Sequence, residues 1–518
     1  MQTNRNNILD PDNQERHNMT DYFKKFITSQ VHILLMPVYF ILHTSLAYAG
    51  LLETVSLIKA FFIILSCLTV LFFVMKFFFR DNAKALIFTT ITGSLYLFFG
   101  NIKITFSQLP LFHLLSHYKT LIPILSAGVL ALFLKLKKSK KLINFSMFLN
   151  ILFLLYIMID AGSSLFSKPK NKFLVDETII SKHEKSTDKL PDIYYIIIDG
   201  YPSSGYQQDI LNIYTNTLDS FLLQDNFYVI NNSTSNYSNT AFSMASTFGM
   251  NYINGIDTTI IMTPILYNKA TVFVKNAPYF KMLKSSGYRF VNLSIFDILE
   301  YPAYNKERFL SISSNNIIFY FTFLDCIKRD LFWQIFPDYF KTIEKEKIKS
   351  MTAFFSPQKE MNNHLLDSLK NFQPLDKDPN PVFLYAHLKM PHFPYFYDSS
   401  GKEYHDSEIY NDSLITDRKK FAGYISYTNS KIIEIIKELK NKMNDNSIII
   451  LQSDHSFADL DWNRKSDAFR NYSAFYFPDK DYSLLKDSMS NVNTFRIILN
   501  KYFGHKLELL PYKSYYIK

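Results

Sequence analysis

The sequence is poor in cysteine and in the motifs of several common protein classes. Only Cys67 and Cys326 are present in 518 residues, and they fall in different predicted parts of the chain, so neither part can form an internal disulfide. We find no internal repeat, Walker-type phosphate loop, zinc-knuckle spacing or nucleic-acid module. A packed core must therefore supply the stability, and nucleic acid is not an expected partner.

Apolar residues, by contrast, are abundant. The chain is 48% hydrophobic, with 49 Phe and 35 Tyr, and the excess is concentrated before residue 166. The apolar stretches are 31–51, 58–79, 85–99, 121–134 and 143–159. Most approach the roughly 20 residues that a helix needs to cross a bilayer. The sequence therefore predicts a membrane domain of five transmembrane helices over 31–160.

The positive charges predict the orientation of this domain. Lys and Arg gather before the first stretch, between the second and third, and before the fifth, whereas the alternate loops carry few. The basic residues are Arg5, Arg16, Lys24, Lys25, Lys76, Arg80, Lys84, Lys135, Lys137, Lys138, Lys140 and Lys141. Because basic loops stay on the cytoplasmic side, we expect a cytoplasmic N-terminus over 1–30 and an extracytoplasmic chain after about Phe166. Such loops and anionic headgroups explain the net charge of +10.

The remaining chain is predicted to be a linker over 161–190 and a catalytic domain over 191–518. Strand-like runs at 194–198, 289–293, 382–386, 448–451 and 473–477 alternate there with helical patterns. That alternation is typical of an α/β sandwich with a mostly parallel central sheet.

Three of these runs end in groups that bind metals or carry protons. Asp199 follows the first, His387 follows the third, and the fourth continues through Gln452 into Ser453, Asp454 and His455. Since ligands bind at the carboxyl ends of strands in open α/β sheets, one cleft could collect all of them. Each motif alone also fits an ordinary turn or helix cap.

Two further segments carry candidate chemistry. Polar residues before Thr240 introduce a helix, and a hydroxyl on its first turn could act as a nucleophile or simply as a cap. The loop from His387 to Tyr395 holds two histidines and two prolines, so it is stiff and its imidazoles could bind a phosphoryl oxygen or protonate a leaving group.

These motifs together resemble the alkaline phosphatase superfamily, in the sulfatase-like branch of membrane-anchored phosphoethanolamine transferases and lipoteichoic acid synthases. The 240–244 segment, Thr-Ala-Phe-Ser-Met, is similar to the transferases' nucleophile segment, and the Ser-Asp-His at 453–455 to their metal motif. The resemblance implies one divalent ion, zinc or manganese. The implied ligands are Asp199, Thr240, Asp454 and His455, with catalysis by Thr240 and His392 and substrate contacts from His387, His392 and Tyr395.

Some positions differ from the transferase pattern. Asp199 stands where a Glu is usual, Ser456 stands where a Gly is usual, and the stretch after Ser456 lacks a downstream His. Neither cysteine lies in a Cys/Ser-x-Pro-x-Arg setting, so the formylglycine chemistry of true sulfatases is disfavoured. We expect a divergent subgroup.

The leading hypothesis is a multi-pass enzyme of the plasma (inner) membrane with an extracytoplasmic catalytic domain, periplasmic or extracellular. It would move a phospho-alcohol group from a phospholipid donor in the bilayer to an envelope glycan or lipid acceptor through a phospho-threonine. The alternatives are a sulfatase-like phosphoester hydrolase and a catalytically inactive protein that binds envelope glycans or acts as a scaffold.

Overall fold

A computed structural model of the chain divides into two compact units. The first comprises residues 1–170 and 312–337, and the second comprises residues 171–311 and 338–518. The residues that the structure describes are 26–48, 51–139, 142–166, 189–254, 256, 262–304, 314–331, 356–374, 380–409, 417–456 and 465–517. The predicted N-terminal segment 1–30 and the linker 161–190 lie mostly outside them, and the predicted domain boundaries stay a prediction.

The first unit is helical throughout its described elements. Its helices are His32–Ala47, Thr54–Phe79, Asn82–Leu97, Phe99–Gln108, Tyr118–Lys138 and Ile143–Phe166, with a 3-10 segment at Pro110–Ser116 and two short helices, Ser314–Phe319 and Phe323–Asp330. Local chemistry sets the tight turn before the third helix. Arg80 adopts a left-handed conformation that ends one helix, and the Asp81 side chain accepts a hydrogen bond from the Lys84 amide to begin the next.

The prediction of five membrane spans is met in part. Three helices are long and apolar enough to cross a membrane, namely Thr54–Phe79, Tyr118–Lys138 and Ile143–Ser163. A fourth span results if Asn82–Leu97 and Phe99–Gln108, which meet at a 60° bend, act together. His32–Ala47 is apolar, but its 16 residues extend only about 24 Å, short of the roughly 30 Å hydrocarbon core.

The second unit is built on a six-stranded sheet. Its strands are β1 (Asp192–Ile198), β2 (Tyr228–Val229), β4 (Arg289–Leu293), β5 (Val382–Leu388), β6 (Ser447–Gln452) and β7 (Ser473–Tyr476), in the order β2-β7-β6-β1-β5-β4; β3 (Asn232–Thr234) and β8 (Ser488–Ser490) form a separate parallel pair. The central strands β1, β5 and β6 are buried along their whole lengths, as their near-continuous apolar sequences predict.

The sheet is mixed, so the prediction of a mostly parallel sheet is wrong. Strands β4, β5, β1 and β6 pair in parallel, but β7 is antiparallel to both β6 and β2. A parallel return needs a long crossover, usually a helix. In the described part of the connection from β6 to β7 the only regular element is the 3-10 turn Lys465–Phe469, so the chain returns antiparallel.

Helices flank this sheet. The described ones are Ser204–Leu211, Thr217–Gln224, Thr240–Gly249, Pro264–Lys275, Pro278–Ser285, 356–370, Asp406–Ile409, Arg418–Lys442 and Thr494–Tyr502. The helix Thr240–Gly249 is fixed by Phe248, whose ring centroid lies 5.1 Å from Tyr385 of β5, 4.4 Å from Phe280 and 5.3 Å from Phe495. This aromatic packing fixes the C-terminal end of the helix against the sheet.

We predict that Phe248→Ala destabilises the protein by about 3–5 kcal/mol, because it removes a fully buried ring and leaves a cavity. The exposed Tyr214 offers a control, and Tyr214→Ala should change stability by less than about 0.5 kcal/mol. Thermal unfolding of the full-length protein measures both. Equal melting temperatures for the two variants contradict the packing described.

Candidate metal centre

The candidate site lies where three central strands end side by side. Strand β1 lies between β5 and β6, and Ile197 is in register with His387 on one side and Gln452 on the other. Asp199 directly follows β1, and Asp454 and His455 follow β6 after one residue. The parallel register therefore carries the three predicted segments to a single edge of the sheet.

Asp199, Asp454 and His455 form a compact, buried cluster there. One ligand atom from each lies within 4.8 Å of the others. The Nε2 atom of His455 is 3.2 Å from Asp454 Oδ2 and 3.9 Å from Asp199 Oδ1. Two carboxylates and one imidazole thus meet at a buried position.

The oxygen and nitrogen atoms of this cluster that face one another suit a divalent cation. Asp199 Oδ1 and Asp454 Oδ2 are buried and have no hydrogen-bond partner among the described residues. The Gly200 amide donates to the other Asp454 oxygen at 3.1 Å, and His455 Nδ1 lies 2.9 Å from the Ser456 carbonyl oxygen. Because that carbonyl can only accept, Nδ1 carries the proton and Nε2 presents its lone pair to the cluster. Two carboxylate oxygens and an imidazole nitrogen suit zinc or manganese.

Thr240 is the first residue of its helix and faces the cluster. The Asn239 side chain caps the helix by accepting a hydrogen bond from the Ala241 amide at 3.2 Å. Since Asn239 performs the capping, the Thr240 hydroxyl does not have to. Its Oγ1 lies 3.2 Å from His455 Nε2 instead, which places it at the positive end of the helix dipole and beside the three candidate ligands.

His387 lies behind Asp199, fully buried. Its Nε2 is 3.5 Å from Asp199 Oδ2, and its Nδ1 is 3.0 Å from the Tyr385 hydroxyl. Burial raises the pKa of the Asp199 carboxyl, but the imidazoles of His392 and His387 outweigh burial and hold the pKa well below its usual range. Asp199 is therefore ionised and can act as a ligand. The predicted contact of His387 with substrate stays a prediction, and its burial favours a supporting role.

His392 and Tyr395 take different positions in the same loop. A Cβ atom at Gly200 would lie 3.7 Å from His392 Cδ2, so the imidazole covers the turn after Asp199. Its Nδ1 is 2.7 Å from the Phe393 carbonyl oxygen, so Nε2 points away from that carbonyl. Tyr395 is only 1% exposed and packs against Phe393 and Phe421. A substrate contact at Tyr395 stays a prediction that this core position does not favour.

Comparison with known proteins places the chain in a family. The profile of the family described as Sulfatase matches residues 191–471, which is more than half of the chain. The chain belongs to the sulfatase family. It is a sulfatase-like enzyme of the alkaline phosphatase superfamily. A comparison with curated proteins gives no match.

Several solved structures are similar to part of this sulfatase-family chain. The C-terminal periplasmic domain of EptC from Escherichia coli, in complex with zinc, is 12% identical with a TM-score of 0.36, over 62% of this chain and 84% of that one. The corresponding domain of phosphoethanolamine transferase EptC from Campylobacter jejuni is 15% identical with a TM-score of 0.34. The match covers 62% of this chain and 91% of that one. The soluble domain of lipooligosaccharide phosphoethanolamine transferase A from Neisseria meningitidis is 13% identical with a TM-score of 0.35. The match covers 62% of this chain and 90% of that one.

The sulfatase-family site also rests on polar residues whose supporting role the sequence does not reveal. Ser453 donates to the Tyr201 carbonyl at 2.6 Å, and its own carbonyl accepts from Asn471 at 2.5 Å and from Asn491 at 3.0 Å. Ser243 donates to the Asp454 carbonyl at 2.5 Å. This network fixes the backbone that carries Asp454 and His455. Single asparagines far along the chain give no sequence signal of such a role. Ser456 is buried, and the stretch after it lies outside the described residues.

We predict that His387→Ala weakens binding of the metal by about 10–100-fold, because Asp199 loses the group that orients it. His387→Gln should retain part of the affinity, since its side-chain amide can still donate toward Asp199. The exposed histidine His364 offers a control, and His364→Ala should have no effect. Titration of chelator against metal content measures the affinities. Equal affinity in all three variants contradicts a supporting role for His387.

Proposed function

We propose that the protein is a membrane-bound, metal-dependent phosphotransferase. It moves a phospho-alcohol group, such as phosphoethanolamine or phosphoglycerol, from a phospholipid to a cell-envelope lipid or glycan. The observation that carries this proposal is the position of the Thr240 hydroxyl, 3.2 Å from His455 Nε2 and beside the buried Asp199 and Asp454 carboxylates. A hydroxyl nucleophile next to a cation site is the arrangement that phosphoryl transfer needs.

The residues take complementary roles in this proposal. Asp199, Asp454 and His455, together with the Thr240 oxygen, would hold one zinc or manganese ion. When bound, the ion lowers the pKa of the Thr240 hydroxyl and offsets negative charge on the phosphoryl oxygens. The helix N-terminus at Thr240 favours the same charge. His392, which lies over the turn after Asp199, contacts the transferred phosphoryl group.

The proposed transfer takes place in two displacement steps at phosphorus. The Thr240 oxygen forms a bond to phosphorus while the bond from phosphorus to the lipid alcohol breaks, and the alcohol leaves with a proton. A phosphodiester on Thr240 results. An acceptor hydroxyl then attacks the same phosphorus, loses its proton, and restores the threonine hydroxyl. The unmodified Thr240 hydroxyl is the nucleophile, so no formylglycine is needed, in keeping with the absence of a modifiable cysteine motif in the sequence.

Location in a membrane supports a lipid donor. The first unit contains three helices able to cross a bilayer, and the basic loops favour an extracytoplasmic catalytic domain in the plasma membrane. Tethering a catalytic domain beside the bilayer raises the effective concentration of a lipid substrate. A multi-pass anchor is thus useful to a transferase that draws on membrane phospholipid.

Hydrolysis is the second candidate function. Thr240 is partly exposed, so water could reach the phospho-threonine and take the place of an acceptor alcohol. Transfer and hydrolysis share the first step and differ only in the group that attacks in the second. A purely binding or scaffolding role is less well supported, because an inactive protein does not need two buried carboxylates beside a nucleophile.

We predict that Thr240→Ala abolishes turnover of phospholipid donors, because no covalent intermediate can form, whereas Thr240→Ser keeps part of the activity. Thr271→Ala, which removes a hydroxyl that hydrogen-bonds only within the helix Pro264–Lys275 at 2.9 Å from the Asn268 carbonyl, is the control and should leave activity unchanged. Product analysis with and without an added glycan or lipid acceptor separates transfer from hydrolysis. Unchanged turnover in Thr240→Ala discards the proposed nucleophile.

A further inference from the structure

The first unit contains an apolar groove between its helices. The groove has a volume of about 520 Å³ and is lined by side chains of the helices Thr54–Phe79, Asn82–Leu97 and Tyr118–Lys138, by Phe99 and by Phe323. Its lining is almost entirely hydrocarbon. Leu130 lines it and is still 59% exposed, so the groove opens outward rather than forming a closed cavity. In a bilayer, such an opening faces lipid.

The length of the groove matches one lipid chain. Along the helix Tyr118–Lys138, the lining residues run from Ile122 to Phe133, which is about 16 Å at 1.5 Å per residue. The hydrocarbon core of a bilayer is about 30 Å thick and consists of two leaflets, so one acyl chain covers about half of it. A groove of this length accommodates a single chain.

One end of the groove is formed by a segment from far along the sequence. Phe323 begins the helix Phe323–Asp330, and its ring meets Phe99 edge to face at 4.9 Å. This helix belongs to the same unit as the N-terminal helices, although residues 171–311 of the second unit separate them in sequence. The Gly100 amide donates to the Phe321 carbonyl at 2.7 Å, and a Cβ at Gly100 would clash with Phe321 at 2.8 Å. The segment 321–323 therefore packs tightly against Phe99 and Gly100.

Beyond Phe99 and Phe323 the groove ends in a charged cluster. Asp330 accepts from Lys103 at 3.0 Å and from the Tyr118 hydroxyl at 2.5 Å, and Lys103 lies over the Tyr118 ring at 4.1 Å. The neighbouring charged residues of these segments are Lys119, Asp325, Lys328 and Arg329. Lys103 and Arg329 form ion pairs with Asp330 and Asp325, so the excess positive charge of these segments comes from Lys119 and Lys328. A phosphate at this end would complement that charge.

From these features we infer that the groove binds one acyl chain of a membrane phospholipid, with the lipid phosphate at the Lys103 end. The inference rests on the membrane location in the proposed function and deepens it by giving the lipid a binding site. The helix Phe323–Asp330 forms the outer end of that site. By the predicted orientation this end faces the extracytoplasmic side.

The test is photolabelling of the full-length protein by a lipid. Protein carrying Thr240→Ala is placed in vesicles of phosphatidylethanolamine and phosphatidylglycerol that contain a phosphatidylglycerol with a diazirine on one acyl chain. Because this variant cannot turn over substrate, the labelling does not depend on the proposed catalytic function. Mass spectrometry locates the label. We expect it on groove residues such as Leu125, Val129 and Phe323 rather than spread over the lipid-facing surface.

Two substitutions on the same helix provide the matched pair. Ser126 lines the groove, whereas a Cβ at Gly128 would meet nothing within 4 Å. Ser126→Phe should fill the groove and lower the labelling several-fold, and Gly128→Phe should leave it unchanged. Uniform labelling of all lipid-facing positions, or an equal loss in both variants, means contact with bulk lipid only and overturns the inference. If Ser126→Phe fails to fold, the position of the label in the parent protein decides.

Discussion

The structure depends on the enclosure of two carboxylates at one edge of a sheet. Asp199 and Asp454 are almost completely buried, and their ligand atoms lie within 4.8 Å of each other. Two like charges about 4 Å apart repel by about 4 kcal/mol at an effective dielectric constant near 20. Burying each ion without compensation adds a further cost. A divalent cation held by both carboxylates would offset these costs, in addition to the partial compensation from the Gly200 amide and His387.

Neighbouring groups hold the two carboxylates in position. The Gly200 amide and the histidines 387 and 392 take up part of the negative charge, and each carboxylate keeps one oxygen directed at the same point. The buried hydrogen bonds around Ser453 fix the other side of the site. Thr240 reaches the same point because Phe248, two turns along its helix, is locked between aromatic rings above β5. Core packing and site geometry are thus coupled.

Much of the site could be predicted from sequence for a simple physical reason. Parallel strands that are buried on both faces have continuous apolar sequences, and the residues that follow them meet at one edge, so the sequence pattern alone groups Asp199, Asp454 and His455. The direction of β7 could not be predicted, because a short apolar run is compatible with a parallel or an antiparallel strand. The direction depends on the connection between β6 and β7. The burial of Tyr395 was missed for a similar reason, since a tyrosine in a proline-rich loop gives no sign of which face it presents.

The helical unit shows the same limit. Apolar composition located its helices, but it could not foresee the bend after Leu97 or the addition of the helix Phe323–Asp330 to the N-terminal helices. That packing depends on Gly100 and on the contacts of Asp330 with Lys103 and Tyr118, which lie more than 200 residues away in the sequence. Long-range pairs of this kind leave no periodic signature. They nonetheless determine the end of a groove of lipid length.

The most direct measurement is anomalous X-ray diffraction from crystals of the full-length protein, recorded at the absorption edges of zinc and manganese. We expect a single anomalous peak bounded by Asp199, Thr240, Asp454 and His455. A peak elsewhere, or no peak in protein that retains phosphotransferase activity after exhaustive chelation, contradicts this expectation.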